Sequence, residues 1–109
     1  MSLIVATRAD ARARQLTRFV AISAGIVNAM PDTPGNLGVR ISNRGLVWYT
    51  LTAWHDTAAL DAFVTSERHR HAMRAVDQLT RNTAFARIDT DVPFEQIPWD
   101  DVRSRLSTA

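Results

Sequence analysis

The chain has no cysteine and no lysine among its 109 residues. Without a thiol there is no disulfide, no thiolate nucleophile and no cysteine-ligated metal. Nor does it contain an apolar run of the roughly 20 residues that a spanning helix needs, and its first residues lack the layout of a signal peptide. The expectation is a cytoplasmic protein without a membrane partner. Repeats, low-complexity tracts, a glycine-rich phosphate loop, a Ser-His-Asp order and paired-carboxylate spacing are all missing as well. All thirteen basic residues are arginine, yet the formal net charge is only +2, because eleven carboxylates are interspersed among them. A nucleic-acid-binding face needs clustered positive charge and a reading element. The arginines form no such cluster, so nucleic acid is not an expected partner.

What is present is a 46% apolar composition, enough for one globular domain over residues 1–109 and too short for two cores. Leu3 to Thr7 is a β-branched run and reads as a first strand. Asp10 then offers an N-cap for a long helix from about Ala11 to Ala29, with Leu16, Phe19, Val20, Ile26, Val27 and Met30 on one stripe. Pro31-Asp32-Thr33-Pro34-Gly35 stops it. Two strands follow, Asn36 to Ile41 and Leu46 to Trp54, joined by a turn over Ser42 to Gly45. Leu60, Phe63 and Val64 mark one helical face, whereas His69, Ala72, Met73 and Val76 mark another. One straight helix cannot bury both, which predicts a break near Ser66 with Ser66 as the new cap. Thr83 to Ile88 reads as a fourth strand, and Pro98-Trp99 opens a short terminal helix anchored by Trp99, Val102 and Leu106.

The order β-α-β-β-α-β is that of an α+β, ferredoxin-like domain with a four-stranded antiparallel sheet. Two helices cover only one face of such a sheet. The third strand, however, is rich in apolar and aromatic residues on both faces: Val47, Tyr49, Leu51 and Ala53 on one, Trp48, Thr50, Thr52 and Trp54 on the other. A strand with one wet face alternates more cleanly. A second copy of the chain is the simplest cover for the spare face, so a homodimer is expected.

The run WYTLTAWHDTAALDAF followed by SERHRHAM resembles the antibiotic-biosynthesis-monooxygenase-like superfamily of dimeric α/β barrels. The strand, Pro34-Gly35-Asn36-Leu37-Gly38 and Ile97-Pro98-Trp99 are most similar to a branch of small bacterial proteins related to spheroidene monooxygenase. The resemblance covers most of the chain. It implies a ferredoxin-like monomer, a dimer, and a ligand site between sheet and helices. Known members include cofactor-free oxygenases of polycyclic aromatic substrates and haem-degrading enzymes. In the haem-degrading branch the axial histidine and a helix tryptophan occupy the positions of Met73 and Phe63 here, a departure that speaks against haem degradation.

Among the candidate site residues, His69 shares a helical face with Met73 and Val76, and a near-neutral imidazole there suits proton transfer. The plainer reading is a helix-start histidine bonded to backbone. His71 falls about 200° round the same helix and is expected to be exposed, so the two cannot share a metal. No metal site is expected. Trp48 and Trp54 flank Thr50 and Thr52 on one strand face, an arrangement able to stack a flat aromatic ligand, or simply to pack. Arg12 and Ser23 fall on the first helix's apolar face; Arg12 either meets an anion or extends to water, and Ser23 either lines the site or lets the helix sit close. Asp56 reads as a helix cap.

Together these features point to a homodimer binding a small apolar or aromatic metabolite. A cofactor-independent monooxygenation is the reaction that the resemblance implies. The alternatives are a haem-binding protein with His69 as axial ligand and a non-catalytic ligand-binding module.

Overall fold

The computed structural model describes residues 3–106. In chain order the elements are β1 (Leu3–Ala11), α1 (Leu16–Ala29), β2 (Asn36–Arg44), β3 (Val47–Trp54), α2 (Thr57–Val64), α3 (Glu67–Leu79), β4 (Thr80–Ile88) and α4 (Trp99–Leu106). The sheet is four-stranded with order β2-β3-β1-β4, and every pairing is antiparallel. This is the ferredoxin-like arrangement expected from the element order, extended by α4.

Several boundaries differ from the expectation, each for a local reason. β1 runs to Ala11 because it is paired on both sides, with β3 as far as Val47 and with β4 as far as Thr80. Asp10 therefore caps no helix. Its carboxylate takes the Arg8 guanidinium at 2.8 Å, two residues away on the same face of the strand. The chain then passes through a single 3₁₀ turn at Ala13–Gln15, and α1 starts only at Leu16. β2 continues to Arg44, which tightens the hairpin to Gly45-Leu46, with Gly45 at φ 57° supplying the left-handed residue. β4 follows α3 without a loop, so it starts three residues before the expected Thr83.

The break between α2 and α3 is where the phase change requires it. Ser66 caps α3 by accepting the His69 N–H at 3.3 Å, and its hydroxyl donates to the Phe63 carbonyl at 2.7 Å, tying the two helices together. Asp56 caps α2 by accepting the Ala59 N–H at 2.8 Å. That bond, with a smaller contribution from His55, holds its carboxyl below the usual aspartate range. Gly35, at φ 80°, lies so close to the Ala59 side chain that any Cβ would collide with it. The Pro34-Gly35 corner is thereby seated against the start of α2, and the Gly35 carbonyl accepts the His55 N–H at 2.8 Å.

The two faces of the sheet are covered differently. Ile4, Ala6, Tyr49, Leu51, Ala53 and Ile88 share one face and form the main core with Ile97, Val102 and Leu106 from the C-terminal segment. Arg40 fastens that segment, donating to the Phe94 and Ile97 carbonyls at 2.7 and 3.0 Å while its guanidinium lies over the Phe94 and Trp99 rings. Of the two faces of β3, the one carrying Leu51 is thus covered by the chain's own α4. α1, α2 and α3 lie on the other face.

Candidate functional site on the helix-side face

On the helix-side face, β3 presents Trp48, Thr50, Thr52 and Trp54, since alternate residues point the same way. The register sets their neighbours. Thr50 stands beside Ile41 of β2 and Thr7 of β1, and Thr7 stands beside Phe85 of β4. This row crosses all four strands. Thr7 is exposed although β1 is a central strand, Thr50 is half-buried, and Phe85 and Ile41 are 80% and 42% exposed. The helices above are correspondingly unsealed. Phe19 is the only buried residue of α1, while Ile22, Ser23, Ile26 and Val27 remain half-buried. An apolar groove thus lies across the middle of the sheet.

Along β3 a tryptophan flanks the row on either side. Trp54 is fully buried, its indole N–H donating to the Thr52 hydroxyl at 3.0 Å, and its ring lies 5.0 Å from that of Phe63. Phe63 in turn lies 4.7 Å from the His69 ring. At the opposite end Trp48 packs 6.1 Å from Phe19, in a cluster with Ala11 and Leu79. The Trp48 indole nitrogen is buried with no hydrogen-bond partner among the described residues. A buried donor left unpaired costs about 1–3 kcal/mol.

His69 is half-buried, with Nδ1 3.2 Å from the Val64 carbonyl. A carbonyl only accepts, so Nδ1 carries the proton and Nε2 keeps its lone pair. Burial lowers the imidazole's pKa below the ordinary value, outweighing the opposite pull of the carbonyl. The ring is therefore a neutral acceptor near pH 7. Both readings of this residue meet in one geometry: it is bonded to backbone at the helix start, and it retains a free basic nitrogen.

The remaining candidates are spread more widely. Ser23 is half-buried and Met73 is 39% exposed, on the helices that flank the groove. The placement of Arg12 is corrected: it precedes α1 rather than lying on its apolar face, its backbone N–H donates to the Leu79 carbonyl and its carbonyl accepts the Gln15 N–H, each at 2.9 Å, and of the two readings of its side chain the exposed one holds. His71 is exposed, and so is His55, which pairs with Asp56 at 3.2 Å. Thr7, Ile41 and Phe85 were not anticipated as groove residues. Their signal is the cross-strand register, which no single strand carries. Among the described residues no three histidine, aspartate or glutamate side chains are grouped to hold a metal ion, and no helix is long and apolar enough to cross a membrane.

The antibiotic biosynthesis monooxygenase family model matches residues 2–75. No curated protein matches the chain. Among solved structures, Rv0793 from Mycobacterium tuberculosis is similar with a TM-score of 0.79 at 14% identity, covering 85% of this chain and 98% of that one. SnoaB, a cofactor-independent oxygenase from Streptomyces nogalater, gives a TM-score of 0.74 at 10% identity over 84% of this chain and 95% of its own. A dimeric ferredoxin-like protein of unknown function from Jannaschia sp. CCS1 gives 0.72 at 19% identity over 83% of this chain and 100% of its own. At these identities the structural likeness speaks for the fold. The family match spans well over half of the sequence, and the chain belongs to the antibiotic biosynthesis monooxygenase family.

Proposed function

We propose that this chain works as a homodimer that binds a small apolar or aromatic metabolite between sheet and helices and oxygenates it without a cofactor. The observation that carries the reading is the uncovered Thr7–Thr50 row on the helix side of the sheet, flanked by Trp48 and Trp54 and ending in Ile41 and Phe85, with two hydroxyls to orient a ligand. In this mechanism the substrate extends from the row past the Trp54–Phe63 edge, where an activated CH₂ gives a proton to His69 Nε2. The resulting carbanion passes one electron to dioxygen, and the radical pair recombines as a peroxide. Loss of water leaves a carbonyl, so one oxygen atom enters the product and the other leaves as water. Burial supports the step, because it keeps His69 neutral and able to accept the proton.

Dimerisation is supported by the dimeric relative and by Phe85 and Ile41, which a single chain leaves in water at the two ends of the row. The interface should bury more than about 1,600 Å² in total, so light scattering should give a dimer at micromolar concentration. The proposal also includes a single domain over 1–109, a cytoplasmic location, and a place in the branch related to spheroidene monooxygenase on the strength of Pro34-Gly35 and Ile97-Pro98-Trp99.

The test is oxygen uptake with a panel of phenolic substrates. His69→Ala should lower turnover by about 10²-fold or more, the scale of a lost general base, and His71→Ala should be nearly silent. Saturable binding with no oxygen consumed would make the protein a ligand-binding module instead. One observation favours haem as a second reading: with Nδ1 held by Val64, His69 offers Nε2 to a metal. Bound there, haem would supply iron redox chemistry. A Soret band that survives in His69→Ala excludes this ligation.

A further inference from the structure

A cleft of about 500 Å³, separate from the sheet groove, opens where the end of α1 meets the α2–α3 corner. No strand residue lines it. Its apolar side is made by Pro34, Ala62 and Phe63, and its polar sides by Asp32 on one element and by Ser66 and Arg68 on the other. The volume is in the range of small-molecule sites.

The two polar walls differ in sign. Asp32 and Arg68 are both exposed, and neither has an ion-pair partner within 4.0 Å among the described residues, so they do not neutralise each other across the opening. The backbone adds to each. α1 ends beside Asp32 with its carbonyls, and α3 begins beside Arg68 with its amides, so each helix end has the sign of its neighbouring side chain. The hydroxyls between them are already used: Thr33 donates to the Ala29 carbonyl at 2.8 Å and Ser66 to the Phe63 carbonyl at 2.7 Å. They hold the walls in place and leave the charges to meet an occupant.

We propose that this cleft binds a small zwitterion with an apolar body, of the amino-acid class. Its ammonium group lies toward Asp32, its carboxylate toward Arg68, and its body on Phe63. A ligand of one charge would satisfy one wall and leave the other unpaired. Because the Phe63 ring touches those of Trp54 and His69, occupancy is readable at both. The inference does not rest on the oxygenation proposed above and survives its failure.

The experiment is an NMR titration of the intact protein with L-phenylalanine, phenethylamine and 3-phenylpropionate, which share a ring and differ in charge. The amides of Phe63, Ser66 and Arg68 and the Trp54 indole N–H should shift saturably. L-Phenylalanine should bind about two- to fivefold tighter than either singly charged probe, the scale of one exposed ion pair. Asp32→Asn should remove its advantage over 3-phenylpropionate, and Arg68→Gln its advantage over phenethylamine. Both positions are exposed, and unchanged melting curves would show that both variants are folded. Equal affinity for all three probes, no saturable shift up to about 10 mM, or shifts confined to Thr50 and Trp48 would overturn the proposal.

Discussion

The two faces of β3 differ in what lies on them. On one, Leu51 has no exposed surface and Tyr49 and Ala53 are nearly as buried, because α4 lays Val102 and Leu106 flat against the sheet and Arg40 fastens the preceding turn. On the other, the helices touch down at the ends, through Phe19 on Trp48 and Phe63 on Trp54, and the middle of the sheet stays open. A close-packed face contributes stability and has no room for chemistry. The open face gives up some of that burial and leaves a strip of the sheet uncovered. Structurally similar proteins reach the same fold at under 20% identity, as expected when the architecture needs only a patterned core.

The sharpest way to break this comparison is to place the same charge on adjacent residues. Leu51→Arg should abolish a cooperative thermal transition, since a buried unpaired guanidinium and the loss of a core leucine cost about 5 kcal/mol or more, the scale of a small domain's total stability. Thr50→Arg should melt within about 1 kcal/mol of the parent, because its side chain can follow the groove to water, while ligand binding is lost. Similar melting curves for the two variants would mean that the faces are not different.

Arg40→Met asks how α4 is held. It removes two charge-assisted hydrogen bonds and two ring contacts, and should cost about 2–3 kcal/mol in chemical denaturation. Amide exchange should rise in α4 and not in α3. Ser66→Ala tests the joint that turns His69 inward. Loss of the cap should cost about 1 kcal/mol and increase exchange at the His69 amide.

The smallest effect is a pH dependence. The folded His69 pKa lies below the ordinary histidine value, so the unfolded chain takes up this proton more readily. Its contribution to stability is complete above about pH 6.5 and is lost as the pH falls from there through the folded value. Denaturation midpoints measured from about pH 5 to 8 should slope downward on the acid side, less steeply in His69→Ala. An equal slope in both proteins would mean that the ring is not desolvated in the fold.

Much of this was legible in the sequence because it depends on contacts close along the chain. The βαββαβ order, the Pro31–Gly35 stop, the Asp56 and Ser66 caps and the break between α2 and α3 all follow from periodicity and capping chemistry. The period-two alternation of a strand also puts Trp48, Thr50, Thr52 and Trp54 on one face. What lay beyond the sequence depends on partners far along the chain. Asp10 reads as a cap until the strand continues and Arg8 takes its carboxylate; which face of β3 is sealed stays open until α4 arrives from about fifty residues downstream to bury Leu51. Thr7, Ile41 and Phe85 become one row only when three separate strand registers are set, and Phe63 comes to join Trp54 and His69 only when α2 packs on the sheet. Local preference chooses the elements, but burial and hydrogen-bond partners are properties of the assembled chain, and these decide which face is sealed and which is left open.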